Sequence, residues 1–297
     1  MIEKNRKTDE KEGQRGMYIS EEYLARAARQ LWADCGGSGE ADGTAACIVN
    51  RTPRLPERGY LTKGAYAQLI EERWEKQVGV RPRIYEGMDP FFRGIFWKGR
   101  AWLTAQDPIY GWCVQTYQKQ MRHPEWFCQF SELRKLDAQL GRYGRRILDV
   151  RLNFLPAEGA CAQEGTLPSS VRECWYEEGE LMGNRKFDAF RHALCHSGLH
   201  PDMLAVAAVA SDGWIVGMAG AAADCRDMWQ IGVDVLPAWE GKGIGSALTR
   251  MLKEEMLRRG ILPFYSTAQS HIRSMHTAMR AGFLPAWTEI YAEACRG

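Results

Sequence analysis

The chain holds 297 residues, enough for two domains of ordinary size, and 45% of them are apolar, enough for two cores. Thirty-nine Lys and Arg against 37 Asp and Glu leave a net charge of +2, which gives no electrostatic case for nucleic acid or an anionic membrane as partner. Nine cysteines without a Cys-x-x-Cys pair or a Cys/His cluster argue against a disulfide framework or a metal site, and point to a reducing cytoplasm.

Residues 1–17 are charged and Gly-containing, carry no signal-peptide pattern, and read as a disordered leader. An N-terminal lobe is expected over 18–157. Tyr23, Leu24, Ala27 and Leu31 recur at helical spacing behind Ser20, a natural N-cap, and predict a helix at about 20–33. Ala45–Asn50 reads as a short strand, 64–77 as a helix, Arg100–Thr104 as a strand and 107–120 as a helix. Phe91, Phe92, Phe96 and Trp97 around Gly94 suggest a helix or turn packing one lobe on the other. Ser131 is placed to cap a helix through about Leu140, and Arg145–Phe154 is a β run ending in Leu155-Pro156. Strands alternating with helices in this way indicate an α/β layer.

The Pro-, Gly-, Ala- and Ser-rich stretch around 158–168 is the expected linker to a C-terminal domain at 169–297. That domain opens with a strand at Val171–Trp175 and a helical region at about 177–196. The longest apolar run, 203–223, is broken by Ser211-Asp212-Gly213, so it reads as two antiparallel strands and not a membrane helix. A strand at 228–236 follows. The helix beginning at 243 has Ile244, Ala247, Leu248, Met251 and Leu252 on one face, with Lys253, Glu254, Arg258 and Arg259 away from it, and Gly260 closes it. Leu262–Thr267 is the next strand, 270–280 a helix, and Pro285–Tyr291 a last strand. Two strands joined by such a helix are parallel, linked by a right-handed crossover.

The most specific signal is Val235-Leu-Pro-Ala-Trp-Glu-Gly-Lys-Gly-Ile-Gly-Ser246, a strand, a glycine-alternating loop and a helix start. Alternating glycines permit unusual dihedrals, so successive N–H groups converge on one anion, and the helix N-terminus adds free donors and partial positive charge. This is a pyrophosphate cradle. A P-loop is excluded because no hydroxyl follows a Gly-Lys pair, and a dinucleotide fingerprint because the glycines at 241, 243 and 245 lie six residues beyond Val235 and late in the chain.

These residues resemble the acyl-CoA loop of the GNAT N-acetyltransferase superfamily, Arg/Gln-x-x-Gly-x-Gly/Ala after a strand ending in Val-x-Pro, with Glu240 where Arg or Gln is usual. The resemblance runs over about 200–292. A second family motif, Asn-x-x-Ala-x-x-x-Tyr-x-x-x-Gly-Phe, registers on Gly282-Phe283 with His271 for the Asn and Ala278 for the Tyr that often protonates the departing thiolate. The pattern around Met-Trp-Gln-Ile-Gly-Val-Asp-Val-Leu-Pro is similar to two-part bacterial GNAT proteins of unassigned substrate. The resemblance implies an α/β (α+β) GNAT fold: a mixed, mostly antiparallel sheet with a parallel, splayed strand pair. A degenerate GNAT-like α/β lobe without a cofactor loop would precede it. It further implies acetyl-CoA, its pantetheine arm paired to Val233 and Val235 and its pyrophosphate held by Gly241, Lys242, Gly243, Gly245 and Ser246, with His271 beside it.

Direct acetyl transfer to an amine needs a proton acceptor, a donor for the leaving sulfur and an aligned pair of reactants. Asp234 is a carboxylate on a buried strand and is either the base, or a group positioning it, or a hydrogen-bonder to a neighbouring loop. Gln230 cannot act as a base but can orient a water or the substrate. Ser266, Thr267, Ser274 and Tyr265 are the nearby candidates to replace the missing Tyr, Ser266 being counted among the catalytic residues. His271 either joins proton transfer or merely packs against the cofactor. Trp175, Tyr176, Trp214, Trp229 and Trp287 are either core or the wall of an acceptor pocket. Arg81, Arg83, Arg142, Arg145 and Arg146 read as a solvated basic face, with an acidic-acceptor or 3′-phosphate site as the alternative. The expected function is N-acetylation of a small-molecule or peptide primary amine by a cytoplasmic monomer or homodimer, with no nucleic-acid or membrane partner. A non-catalytic CoA-binding or regulatory module and a two-lobed acyltransferase using a larger acyl group remain alternatives.

Overall fold

In the computed structural model, residues 16–41, 43–52, 62–84, 89–159, 166–197 and 199–295 are described. The leader expected at 1–17 and the centre of the linker therefore lie almost wholly outside the described residues. At its start, Tyr18 forms an isolated antiparallel bridge with Glu158.

Ten strands make one mixed, mostly antiparallel sheet. Helix α1 (Glu21–Asp34) begins where Ser20 Oγ accepts from Tyr23 N, as its sequence predicts. Strand β1 (Cys47–Arg51) and helix α2 (Lys63–Val78) follow, α2 capped by Thr62 and ended by Gly79 at φ +77°. Strands β2 (Asp89–Trp97) and β3 (Arg100–Ala105) form a hairpin across Lys98-Gly99, both at positive φ. Phe91, Phe92, Phe96 and Trp97 are thus strand residues and not a helix or turn. Both faces of β2 are buried, which removes the polar alternation that would have marked a strand. Helix α3 (Asp107–Cys113) runs into one π-turn at Val114–Gln118. Helix α4 (Phe130–Gly141) begins one residue before Ser131, so Ser131 is not its cap.

Strand β4 (Arg145–Pro156) ends the N-terminal half, and β5 (Val171–Glu177) opens the C-terminal half. The helical region expected at 177–196 shrinks to α5 (Glu178–Leu181), a 3-10 turn at Arg185–Phe187 and further turns. Its apolar residues Phe187, Phe190 and Leu194 recur at helical spacing yet pack on the sheet from turns. Strands β6 (Asp202–Ala210), β7 (Ile215–Ala222) and β8 (Met228–Val235) form a meander. Helix α6 (Ile244–Arg258), β9 (Leu262–Ala268), α7 (Ile272–Arg280) and β10 (Phe283–Ala294) complete the chain. Lys253 of α6 is buried over the Phe283 ring and does not lie on the solvated face.

The strand order is β1-β3-β2-β10-β4-β9-β8-β7-β6-β5. Strand β4 lies between β9 and β10, and β10 lies between β4 and β2, so strands of the two sequence halves interleave in one surface. The N-terminal lobe does not close a sheet of its own.

The halves are also joined by a buried charge network. Asp34 of α1 accepts from Arg83 Nε at 2.6 Å and from the Arg83 amide at 2.8 Å; Glu289 of β10 accepts from Arg93 Nε at 2.7 Å and Arg83 Nη2 at 3.2 Å. All four side chains are buried. The Arg83 guanidinium also lies 5.2 Å from the Phe264 ring centre and 5.6 Å from that of Trp287. Arg83 is therefore not part of a solvated basic face, and Arg81 pairs with Glu71. Burial raises the Glu289 carboxyl, but Arg93 and Arg83 outweigh it and hold the group down to about 2.

Removing one member of such a network leaves a partner charge buried, so Glu289→Gln is expected to cost about 3–5 kcal/mol in urea unfolding at pH 7. Because the folded value of Glu289 lies below its ordinary 4.5, the gap between wild type and variant is complete above that pH. It should narrow as pH falls towards 2; a gap independent of pH would contradict the network's role.

Candidate active site

Strands β8 and β9 pair in parallel only from Met228↔Leu262 to Ile231↔Tyr265. Beyond that point β8 stays hydrogen-bonded to β7 through Val235↔Gly217, while β9 stays bonded to β4 through Ala268↔Arg151. The two strands diverge and leave a wedge between residues 232–235 and 266–268. The wedge opens into a cleft of about 610 Å³.

At the mouth of the wedge the chain turns from β8 through a 3-10 turn at Pro237–Trp239 into the glycine loop. Gly241 and Gly243 hold φ of +76° and +79°, and a Cβ at either would meet nothing within 4 Å, so backbone conformation and not crowding selects glycine there. A Cβ at Gly245 would sit 3.4 Å from Val235 and 3.8 Å from Val233 and Thr277; its absence keeps the wedge open beside α6. Among the described residues, none of the six main-chain N–H groups from Gly241 to Ser246 donates to a protein acceptor. That leaves a set of unused donors at the N-terminus of a four-turn helix, facing the cleft. Such donors fit a diphosphate, and the wedge beside Val233 and Val235 fits an extended amide-bearing arm.

Val233, Val235, Gly241, Gly243, Gly245, Ser246 and His271 all line the cleft. The Lys242 ammonium instead lies over the Trp239 ring at 4.2 Å, leaving its amide as the contribution to the loop. Glu240 is paired with Arg273 of α7, which neutralises the carboxylate beside the donor set. His271 stands just before α7 without capping it through its side chain.

The sheet's alternation separates two sides of the wedge. Trp229, Ile231, Val233 and Tyr265 pack towards α6 and α7, where Ala278 is fully buried. Gln230, Asp234 and Ser266 lie on the opposite side, and all three line the cleft. Asp234 Oδ2 accepts from the amides of His192 at 2.7 Å and Ala193 at 3.0 Å, so the carboxylate anchors the 178–201 segment. The same segment crosses glycines: a Cβ at Gly232 would lie 1.8 Å from the His192 carbonyl oxygen, and one at Gly220 2.3 Å from that of Ala193. Ser266 Oγ accepts from Arg151 Nε at 3.0 Å. Tyr265 Oη and Ser274 Oγ are hydrogen-bonded at 2.9 Å at the cleft, and burial raises the phenol above its ordinary value of 10.0, so it keeps its proton.

Sequence reading missed Arg151 and His192, both of which line the cleft. Arg151 sits in a strand whose place beside β9 no local pattern reveals, and His192 in a segment read as helical. Of the proposed aromatic wall, Trp175 and Trp229 pack in the core, Trp287 is buried and Trp214 is 75% exposed at a hairpin tip. None of them lines the cleft; Trp239 does.

Residues 169–283 match the family model described as the acetyltransferase (GNAT) family. These residues form a GNAT domain. A GNAT domain is an acyl-transfer fold, and it carries the cleft's loop and wedge. Solved structures similar to the chain include a GCN5-related N-acetyltransferase from Sphaerobacter thermophilus, at 16% identity and a TM-score of 0.44, covering 82% of this chain and 98% of that one. Another is a GCN5-related N-acetyltransferase from Kribbella flavida, at 19% identity and a TM-score of 0.39, covering 55% and 64%. A GCN5-related N-acetyltransferase-like protein from Streptococcus suis shows 16% identity and a TM-score of 0.35, covering 56% and 68%. At those values none of them carries an argument about substrate. No curated protein matches the chain. No helix among the described residues is long and apolar enough to cross a membrane.

Asp234→Ala would leave the part-buried Ala193 amide without its acceptor and the exposed His192 amide to water, a loss of about 1–3 kcal/mol, whereas Asp234→Asn keeps an oxygen for them. Hydrogen exchange at 190–195 should accelerate strongly in the Ala variant and little in the Asn variant. Equal protection in both would refute the anchoring role.

Proposed function

We propose that the protein is an acetyl-CoA-dependent N-acetyltransferase acting on a primary amine by direct transfer. The observation that carries this reading is the run of unused amide donors at 241–246 beside an open strand wedge. Gly241, Lys242, Gly243, Ile244, Gly245 and Ser246 would hold the diphosphate through their N–H groups, and the edges of β8 and β9 the arm. When bound, acetyl-CoA supplies an acetyl thioester. The chain's own residues then have three tasks.

The first is to receive a proton from the amine. Asp234 Oδ2 is committed to two amides, while Oδ1 has no protein partner among the described residues and belongs to a cleft-lining side chain. It accepts the proton directly or through a water; Gln230 lines the same side of the cleft, where it can contact the substrate. The second is to furnish a proton to the sulfur side. Ala278 has no hydroxyl and is fully buried, but the Tyr265–Ser274 pair is protonated, hydrogen-bonded and on the α7 side of the wedge. The third is alignment, given by rigid strands on both sides of the gap. Ser266, on the opposite side, is a hydroxyl fixed by Arg151 and oriented towards the acceptor side. A cytoplasmic site of action accords with the eight cysteines among the described residues, all unpaired.

A second reading, a CoA-binding module without turnover, draws support from the buried Ala278 and from Glu240 beside the loop. Calorimetric titration with CoA and thiol release from acetyl-CoA against an amine panel separate the two. Binding with turnover is the expected result; binding without turnover identifies the module, and no CoA binding overturns both.

Tyr265→Phe is expected to lower kcat by roughly 100-fold or more with CoA affinity unchanged, as befits a proton donor. Glu240→Gln should tighten CoA binding and Arg273→Ala should weaken it, because the second exposes an uncompensated carboxylate to the phosphates. Both effects should fade at high salt. Identical dissociation constants in all three proteins would show that the phosphates lie elsewhere.

A further inference from the structure

Resting on the acetyl-transfer reading of this cleft, we infer that the acceptor is a small primary amine that also bears a carboxylate, and that Arg151 is the residue that holds the acid group. Two carboxylates line the cleft, Asp234 and Glu240. Glu240 is spent on Arg273, and Asp234 keeps a single uncommitted oxygen, enough for the one reacting amine. Among the described residues nothing uncommitted and acidic is left in the cleft to hold a second ammonium, so a polycationic acceptor finds no partner there for its second charge.

Arg151 has the geometry of an anion anchor. It stands on β4 in register with Ala268 of β9, next to the diverging end of the wedge and on the same side as Ser266. Its Nε donates to Ser266 Oγ at 3.0 Å and its Nη1 to Asp149 Oδ2 at 3.2 Å. These two bonds fix the plane of the guanidinium, while Nη2 has no protein acceptor among the described residues. Asp149 is itself divided, its other oxygen accepting from the Val150 amide at 2.8 Å. The Arg151 side chain is 31% exposed, on the cleft lining. A guanidinium that is permanently charged, pre-oriented and open along one edge suits a carboxylate. Neighbouring strands lie about 4.8 Å apart, so Arg151 is one strand beyond the edge of β9 that faces the wedge, within the span of a small amino acid-like molecule.

Matched pairs that differ only by the acid group test this: L-phenylalanine against phenethylamine, and L-lysine against cadaverine. The expected result is a kcat/KM at least tenfold higher for the carboxylate-bearing member. In Arg151→Met that ratio falls towards one, through KM for the acid, and Arg151→Lys restores part of it, while CoA titrates with the wild-type affinity in both variants. Binding of N-acetyl-L-phenylalanine against N-phenethylacetamide to the CoA-bound protein gives the same comparison without turnover. Equal or reversed preference, binding of neither compound, or a ratio unmoved by Arg151→Met overturns the assignment. Failure of CoA to bind at all would instead sink the acetyl-transfer reading, and the calorimetry reports that separately.

Discussion

The wedge between β8 and β9 exists because neither strand is free to close it. Backbone groups of β8 on one side are taken by β7, and those of β9 on the far side by β4, so each strand follows its outer neighbour's direction. Sheet twist turns that difference into separation after four paired residues. The glycine loop and α6 then begin where the gap is widest, which places the unused helix-terminal donors at its mouth. If β4 were absent, β9 would be an edge strand and nothing would hold the two apart.

That dependence gives the N-terminal half a specific part in the chemistry. It supplies no phosphate loop, but its last strand braces one wall of the wedge and brings Arg151 to the cleft. Helix α1 is tied to that same face of the sheet through the Asp34–Arg83–Arg93–Glu289 network. His200, from the segment that Asp234 anchors, donates through Nε2 to the Ile84 carbonyl at 2.7 Å and ties that segment to the N-terminal half. The acceptor side of the cleft is thus framed by both halves, whereas the donor loop belongs wholly to the GNAT domain.

Much of this was legible in the chain. Val235-x-Pro, the glycines at 241, 243 and 245 and the amphipathic face of 244–252 are local signals, and they place the loop, α6 and the parallel strands correctly. The strand at β2 was not, because a strand covered on both faces loses its alternation and looks like any apolar run. The 177–196 segment misled for the opposite reason: its apolar residues recur at helical spacing, yet Gly183 at positive φ follows a single turn of helix, and Phe187 and Phe190 pack on the sheet from turns. Buried arginines are invisible to composition, since Arg83 and Arg81 look alike in sequence while one is sealed in the core and the other half-exposed. Strand interleaving is a long-range fact, and no window of neighbouring residues contains it.

The interleaving also sets an order of events during synthesis. Strands β2 and β4 do not pair with each other; they become part of one surface only when β10, made well after both, slides between them. Until then the first half of the polypeptide waits with two strand edges unmatched and the Arg83–Arg93 pair lacking Glu289. Completing the sheet therefore hinges on a contact between residues about two hundred positions apart, the kind of non-local closure that slows folding.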